Sequence, residues 1–152
     1  MNRITMAHGS GGRIMHELVE KEIVPLLGMK GDLTDSAILD VCGGSRLAFT
    51  TDSYVVSPLF FPGGNIGDLA VNGTVNDLAV MGAAPKCLTV SFIIEEGFPL
   101  DRLRTIAQSI SMAARTAEVQ VVSGDTKVVE KGKGDGIFIN TAGIGVLEGN
   151  TA

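Results

Sequence analysis

Apolar positions fall into runs of two kinds along the chain, and the stretch Ile66 to Met81, IGDLAVNGTVNDLAVM, stands apart from both. It is apolar almost all the way round, as a helix buried on several sides would be. At about 100° per residue, Asp77 shares its sector with Ile66, Leu69, Ala70, Gly73 and Met81. Asn72 and Asn76, one turn apart, form a polar edge beside that sector. A carboxylate there is costly unless a cation, a donor set or water meets it.

A Gly-rich start, His8-Gly9-Ser10-Gly11-Gly12, leads into a helical pattern from Arg13 to about Leu27. Such a loop at a helix start offers unpaired backbone N–H groups to an anion. Ala37 to Val41 and Leu47 to Thr51 flank Cys42-Gly43-Gly44-Ser45 and read as a β-hairpin, with Asp52 ending the second apolar run. Ser57 to Asn65 is a Pro- and Gly-punctuated loop, and Asn65 is placed to cap the central helix. The β-branched run Lys86 to Ile94 predicts a strand. Leu100 to about Ala117 predicts an amphipathic helix, with Leu103, Ile106, Ala107, Ile110, Ala113 and Ala114 inward and Arg102, Gln108 and Arg115 in solvent. Val119 to Val122 is strand-like and continues through Ser123-Gly124-Asp125-Thr126-Lys127, where Asp125 and Lys127 point the same way if the segment is extended. Glu130 to Gly136 reads as a mobile charged loop, and Ile137 to Leu147 as the last strand. Partial alternation of strands and helices gives an α/β or α+β class.

At 152 residues the chain suits one domain. The net charge of −5 argues against a nucleic-acid surface. Apolar residues are 45% and charged residues 19%, with mean hydropathy +0.31. That balance predicts an apolar face covered by another subunit or a further domain. Cys42 and Cys87 form no metal pattern or disulfide framework and are expected to be buried free thiols. No apolar run approaches the roughly 18 residues that span a bilayer, and the expected compartment is the cytoplasm.

Asp52, Asp77 and Asp125 each follow or interrupt an apolar element. As a set they suggest a carboxylate cluster, which Asp35 could join. Repelling carboxylates need a cation, and an all-oxygen donor set suits Mg²⁺ completed by water and substrate phosphates. Lys127 would add a compact positive charge for a phosphate, and Gly9 to Gly12 would add backbone donors. The composite predicts a nucleotide-phosphate site without a P-loop, since neither G-x-x-x-x-G-K-[ST] nor a strand-borne G-x-G-x-x-G occurs.

The HGSGG start, the run TTDSYVVSPLFFPGGNIGDLAVNGTVNDLAVMGA and the segment SGDTKVV together closely resemble the HypE family of hydrogenase maturation factors. That family lies within the AIR synthase-like (PurM-like) superfamily. The resemblance covers nearly the whole chain and the N-terminal half of a HypE protein. It implies a PurM-like N-terminal domain over residues 1–152, a mixed sheet with helices on one face, and dimerisation through a shared β-barrel. It implies Mg²⁺ and ATP, with Asp52, Asp77 and Asp125 as metal and phosphate residues and Asp35 a partial match to the first acidic motif. Asn76 would assist, Thr126 and Lys127 would contact the nucleotide, and Gly9, Ser10, Gly11 and Gly12 would cover it. The implied reaction is ATP-dependent dehydration of an S-carbamoyl group on a C-terminal cysteine to a thiocyanate, for the cyanide ligands of [NiFe]-hydrogenase. Asp77, Asp125 and Lys127 would be its catalytic residues, the carbamoyltransferase HypF the donor and the HypC–HypD complex the acceptor.

No cysteine stands at the C-terminal end, Ala152, so ATP binding and dimerisation are expected of this chain rather than the whole reaction. Another enzyme of the superfamily (an AIR synthase, a thiamine-phosphate kinase or a selenophosphate synthetase) would share the Mg-ATP site and differ in acceptor. A non-catalytic dimerisation module would bind no nucleotide.

Overall fold

The computed structural model describes residues 3–29, 32–41, 43 and 45–147. The chain forms two units, Met1–Leu33 and Thr34–Ala152.

In the first unit a 3₁₀ turn, Met6–Gly9, precedes α1 (Arg13–Leu18), a π-helical turn (Val19–Ile23) and α2 (Val24–Leu27). The helical path matches the expected Arg13–Leu27 span but is not one regular helix. Pro25 has no N–H to give to the preceding turn, and the widened π geometry ends where it enters. Gly28, at φ 66°, closes α2 in the left-handed region. None of these helical residues is buried.

The second unit is built on a five-stranded sheet in the order β1-β2-β7-β5-β6. Its strands are β1 (Ala37–Asp40), β2 (Arg46–Tyr54), β5 (Ala83–Glu95), β6 (Gln120–Val129) and β7 (Ile137–Leu147). A short ribbon, β3 (Phe60–Phe61) with β4 (Gly64–Asn65), precedes helix α3 (Ile66–Val80), and α4 (Leu100–Thr116) joins β5 to β6. The expected hairpin is present as β1 and β2, though Cys42 and Gly44 of its turn lie outside the described residues. β2 and β5 both run antiparallel to β7, hence parallel to each other, with α3 as their connection and β7 inserted between them. β5 and β6 are parallel neighbours. β5 starts earlier than the Lys86 expected, because Ala83 to Pro85 already pair with β7 across a register shift between Pro85 and Cys87.

Both helices lie on one face of the sheet, α3 over β2, β7 and β5 and α4 beside α3 and β6. The core is shared among Ile66, Ala70 and Val71 of α3, Ile106 and Ile110 of α4, and Leu88, Val90, Ile137 and Ile139 of the sheet. Ala107, expected inward, is exposed, while Ile106, Ile110, Ala113 and Ala114 are buried as the periodicity requires. On the opposite face Phe49 and Leu39 are exposed beside half-buried Ile144, Val146 and Cys87. Cys87 is a free thiol that is only half-buried, because its strand position turns it to this face.

The loop from Glu130 to Gly136, read from its composition as mobile, is held by one side chain. Glu95 accepts hydrogen bonds from the backbone N–H of Gly132 and, at 3.1 Å, from that of Gly136. These amides, with a smaller contribution from the charge of Lys131, hold the Glu95 carboxyl below its ordinary value of 4.5. A depressed folded value means the clamp is at full strength above pH 4.5 and fades as pH falls through the lower folded value. The amide resonances of Gly132 and Gly136 are expected to titrate together with a midpoint below 4.5 in NMR spectra, and a midpoint above it would remove the clamp.

Candidate functional site

The position of Asp77 is set by how α3 begins. Asn65 is the expected cap: its Oδ1 accepts from Gly67 N at 2.8 Å, and Asp68 Oδ2 accepts from Asn65 N at 2.8 Å. Asn65 Nδ2 also donates to Ser109 Oγ at 2.7 Å, which ties the start of α3 to α4. In the last turn of the helix so anchored, Asp77 is half-buried against the loop before β1 and against β2. Ser36 Oγ donates to the Asp77 carbonyl at 3.1 Å. Thr50 Oγ1 lies 2.9 Å from the Asp35 carbonyl and 3.3 Å from Asp77 Oδ2, so one hydroxyl joins both segments.

Burial raises the Asp77 carboxyl above its ordinary value, and the charges of Asp52 and Asp35 raise it further, against the lowering effect of Thr50. Among the described residues, no lysine or arginine is among the groups acting on it. Asp77 is therefore a partly desolvated carboxylate facing like charges, with one weak hydroxyl contact as relief.

Asp52 shares the helix-facing side of β2 with Thr50 and Tyr54, as two-residue alternation requires. Tyr54 Oη donates to Asp52 Oδ2 at 3.0 Å and lies 3.1 Å from Thr74 Oγ1 of α3. Thr74 Oγ1 in turn meets Thr141 Oγ1 of β7. Burial pushes the Tyr54 phenol up to about 12, and the charge of Asp52 adds to the shift, so the hydroxyl keeps its proton near neutrality.

Asp35, Asp52 and Asp77 thus interact through their charges, whereas Asp125 and Lys127 lie elsewhere in the sheet. Register aligns Ser53, Asn140, Ser91 and Asp125 across four strands, and Ile93 with Lys127. Asp52, Thr141, Val90 and Gly124 form the adjacent row. Side chains of adjacent rows alternate between faces, so Asp125 and Lys127 share the face away from the helices, as the extended reading of this segment required. Among the described residues no group of three or more His, Cys, Asp or Glu side chains is gathered closely enough to hold a metal. A groove of about 850 Å³ between α4 and β6 is lined by Val90, Phe92, Ile110, Gly124 and Thr126, with Asp125 between the last two. Asn76 is exposed beside Asp77, and Gly9 to Gly12 belong to the first unit, with Gly11 at φ 76°.

Sequence reasoning passed over Thr50, Tyr54, Thr74 and Thr141. Alternation along TTDSY places Thr50 and Tyr54 with Asp52, but nothing local announces Thr74 or Thr141, which arrive from α3 and β7.

Residues 33–147 match the model of the AIR synthase related protein, N-terminal domain. The chain belongs to this family. The mixed α/β sheet with helices on one face agrees with the family's fold as the resemblance implied it. Within the family, the chain is 54% identical over 148 residues to the carbamoyl dehydratase HypE of Bradyrhizobium diazoefficiens, a match covering 95% of this chain and 42% of that protein. It superposes on a crystal structure of a HypE–HypF complex with TM-score 0.76 and 48% identity, over 91% of this chain and 43% of the other. A crystal structure of HypE in complex with ATP matches with TM-score 0.67 and 47% identity, over 95% and 43%. The chain spans less than half the length of the curated relatives it matches. No helix among the described residues is long and apolar enough to cross a membrane.

Proposed function

We propose that this chain is the ATP-binding part of a carbamoyl dehydratase of the HypE type, acting as a homodimer with Mg²⁺ and ATP. The observation that carries the reading is its 47% identity to a HypE solved in complex with ATP. The donor chemistry fits. A partly desolvated Asp77 carboxylate facing the charges of Asp52 and Asp35 is a group that a hard divalent ion relieves.

Asp35, Asp52 and Asp77 are the proposed metal residues; Asp125, also expected to hold the metal, lies on the other face of the sheet and is proposed for the nucleotide set instead. Gly9, Ser10, Gly11, Gly12, Asn76, Thr126 and Lys127 complete the proposed nucleotide set. ATP, when bound, supplies the phosphoryl group that turns the oxygen of an S-carbamoyl amide into a phosphate leaving group. The chain's own contribution is to bind and orient: the carboxylates fix the cation, and the Lys127 ammonium offsets phosphate charge. Calorimetry is expected to show binding of ATP that requires Mg²⁺. Absence of binding heat with Mg-ATP would sink the reading and leave a non-catalytic module.

HypF is the proposed carbamoyl donor, supported by the HypE–HypF complex of a relative, and HypC–HypD the proposed acceptor. The uncovered sheet face, with Phe49 42% and Leu39 47% exposed, is the proposed dimer surface. Phe49→Lys is expected to convert a dimer into a monomer in light scattering at micromolar concentration. A wild-type chain that is already monomeric removes the surface from consideration.

A further inference from the structure

We propose that Tyr54 is a positioning residue for Asp52, held in a slot that Gly73 keeps open, an inference that rests on Asp52 belonging to a Mg-ATP site. Its hydroxyl is the last link of a buried chain crossing three elements. Thr141 of β7 and Thr74 of α3 are fully buried, and Tyr54 is 8% exposed. Each of the three hydroxyls carries a single hydrogen, and the ionised Asp52 can only accept. That fixes the direction of donation. Tyr54 donates a hydrogen bond to Asp52 Oδ2 at 3.0 Å, Thr74 donates to Tyr54 across 3.1 Å, and Thr141 stands behind Thr74 with the Ala70 carbonyl as a more distant acceptor at 3.4 Å. Hydroxyls aligned this way polarise one another, so the bond reaching Asp52 is stronger than an isolated phenol would give. No cation is needed to hold the carboxylate in its rotamer.

The second observation is the glycine. A Gly in the middle of a helix costs about 1 kcal/mol relative to Ala. At Gly73 a Cβ would run into Tyr54 Oη well inside van der Waals distance, and into ring carbons Cε1 and Cζ at 3.1 Å. The missing side chain of α3 is therefore the space the Tyr54 hydroxyl occupies. The helix gives up intrinsic stability and the phenol reaches Asp52.

The test uses the full chain with Mg-ATP as the probe, measuring affinity by calorimetry and melting temperature without ligand. Asp52→Asn checks the underlying reading. If wild type does not bind, or Asp52→Asn binds as tightly as wild type, that reading fails and this inference fails with it. If Asp52→Asn is weakened, Tyr54→Phe is expected to bind roughly tenfold more weakly than wild type, the scale of losing a group that orients a metal ligand. Wild-type affinity in Tyr54→Phe overturns the positioning role alone. Gly73→Ala is expected to lower both melting temperature and affinity, and a variant unchanged in both overturns the slot. The decisive variant is Gly73→Ala with Tyr54→Phe, which removes the colliding oxygen. Its melting temperature should recover relative to Gly73→Ala, while its affinity stays as weak as that of Tyr54→Phe. Recovery of affinity together with stability would mean that Tyr54 only fills space.

Discussion

Asp77→Asn is expected to raise the melting temperature of the metal-free chain and to weaken Mg-ATP binding by about a hundredfold, the upper end of the range for disturbing a metal site. The two effects share one cause. In the folded chain the Asp77 carboxyl is raised by burial, by Asp52 and by Asp35, so ionising it costs more there than in the unfolded chain. A raised carboxylate lowers stability above its folded value and regains it as pH falls toward the unfolded value. The neutral amide removes that cost at every pH and keeps an oxygen within reach of Thr50 Oγ1, now 3.3 Å from Asp77 Oδ2. A bound cation benefits from the same uncompensated charge, which the amide cannot provide. Asp101, at the exposed start of α4 and paired with Arg104 at 3.1 Å, is the control. Its Asn variant should bind Mg-ATP like wild type. Equal affinity of the Asp77 and Asp101 variants would exclude the carboxylates from the nucleotide site.

Gly67→Ala is expected to cost roughly 3 kcal/mol of stability, as overpacking a close contact does, and to lower the melting temperature by roughly 10 °C. Helix propensity alone points the other way, since Ala is preferred to Gly by about 1 kcal/mol in a helix. Gly67 sits in the first turn of α3 where α4 crosses it. A Cβ there would lie 2.6 Å from the Ile106 carbonyl oxygen, 3.0 Å from Asn65 Oδ1 and 3.1 Å from Ile110 Cγ1. The first of these atoms is backbone, so α4 as a whole must move away. That shift would strain the 2.7 Å bond from Asn65 to Ser109 and open the core around Ile66, Ile106 and Ile110. Chemical denaturation measures the loss. A variant as stable as wild type would show that the two helices are not in contact at this point.

Much of the fold is legible because its signals are local. The unbroken apolar stretch of α3 and the apolar periodicity of α4 place both within a residue or two of their observed ends, and Asn65 announces the start of α3 by its capping chemistry. The apolar segments that become β2 and β7 are equally direct. The first unit is less so. Its span reads as one helix, yet the path is broken by a π-helical turn before Pro25. What the composition of the Glu130 to Gly136 loop cannot show is Glu95, which lies far away in sequence and accepts hydrogen bonds from two of its amides.

The sequence by itself determined the elements, the acidic residues that interrupt them, and the motifs that tie the chain to the AIR synthase related family. These are properties of residue type and spacing, and they survive without knowledge of what packs against what. Only the tertiary structure decided how the carboxylates are grouped. Strand order and register bring Asp35, Asp52 and Asp77 within reach of one another's charge, and alternation turns Asp125 and Lys127 to the other face. It also decided why α3 carries Gly67 and Gly73. One makes room for a neighbouring backbone and the other for the Tyr54 hydroxyl. Steric room and Coulomb energy depend on distances between atoms from separate parts of the chain, and folding sets those distances.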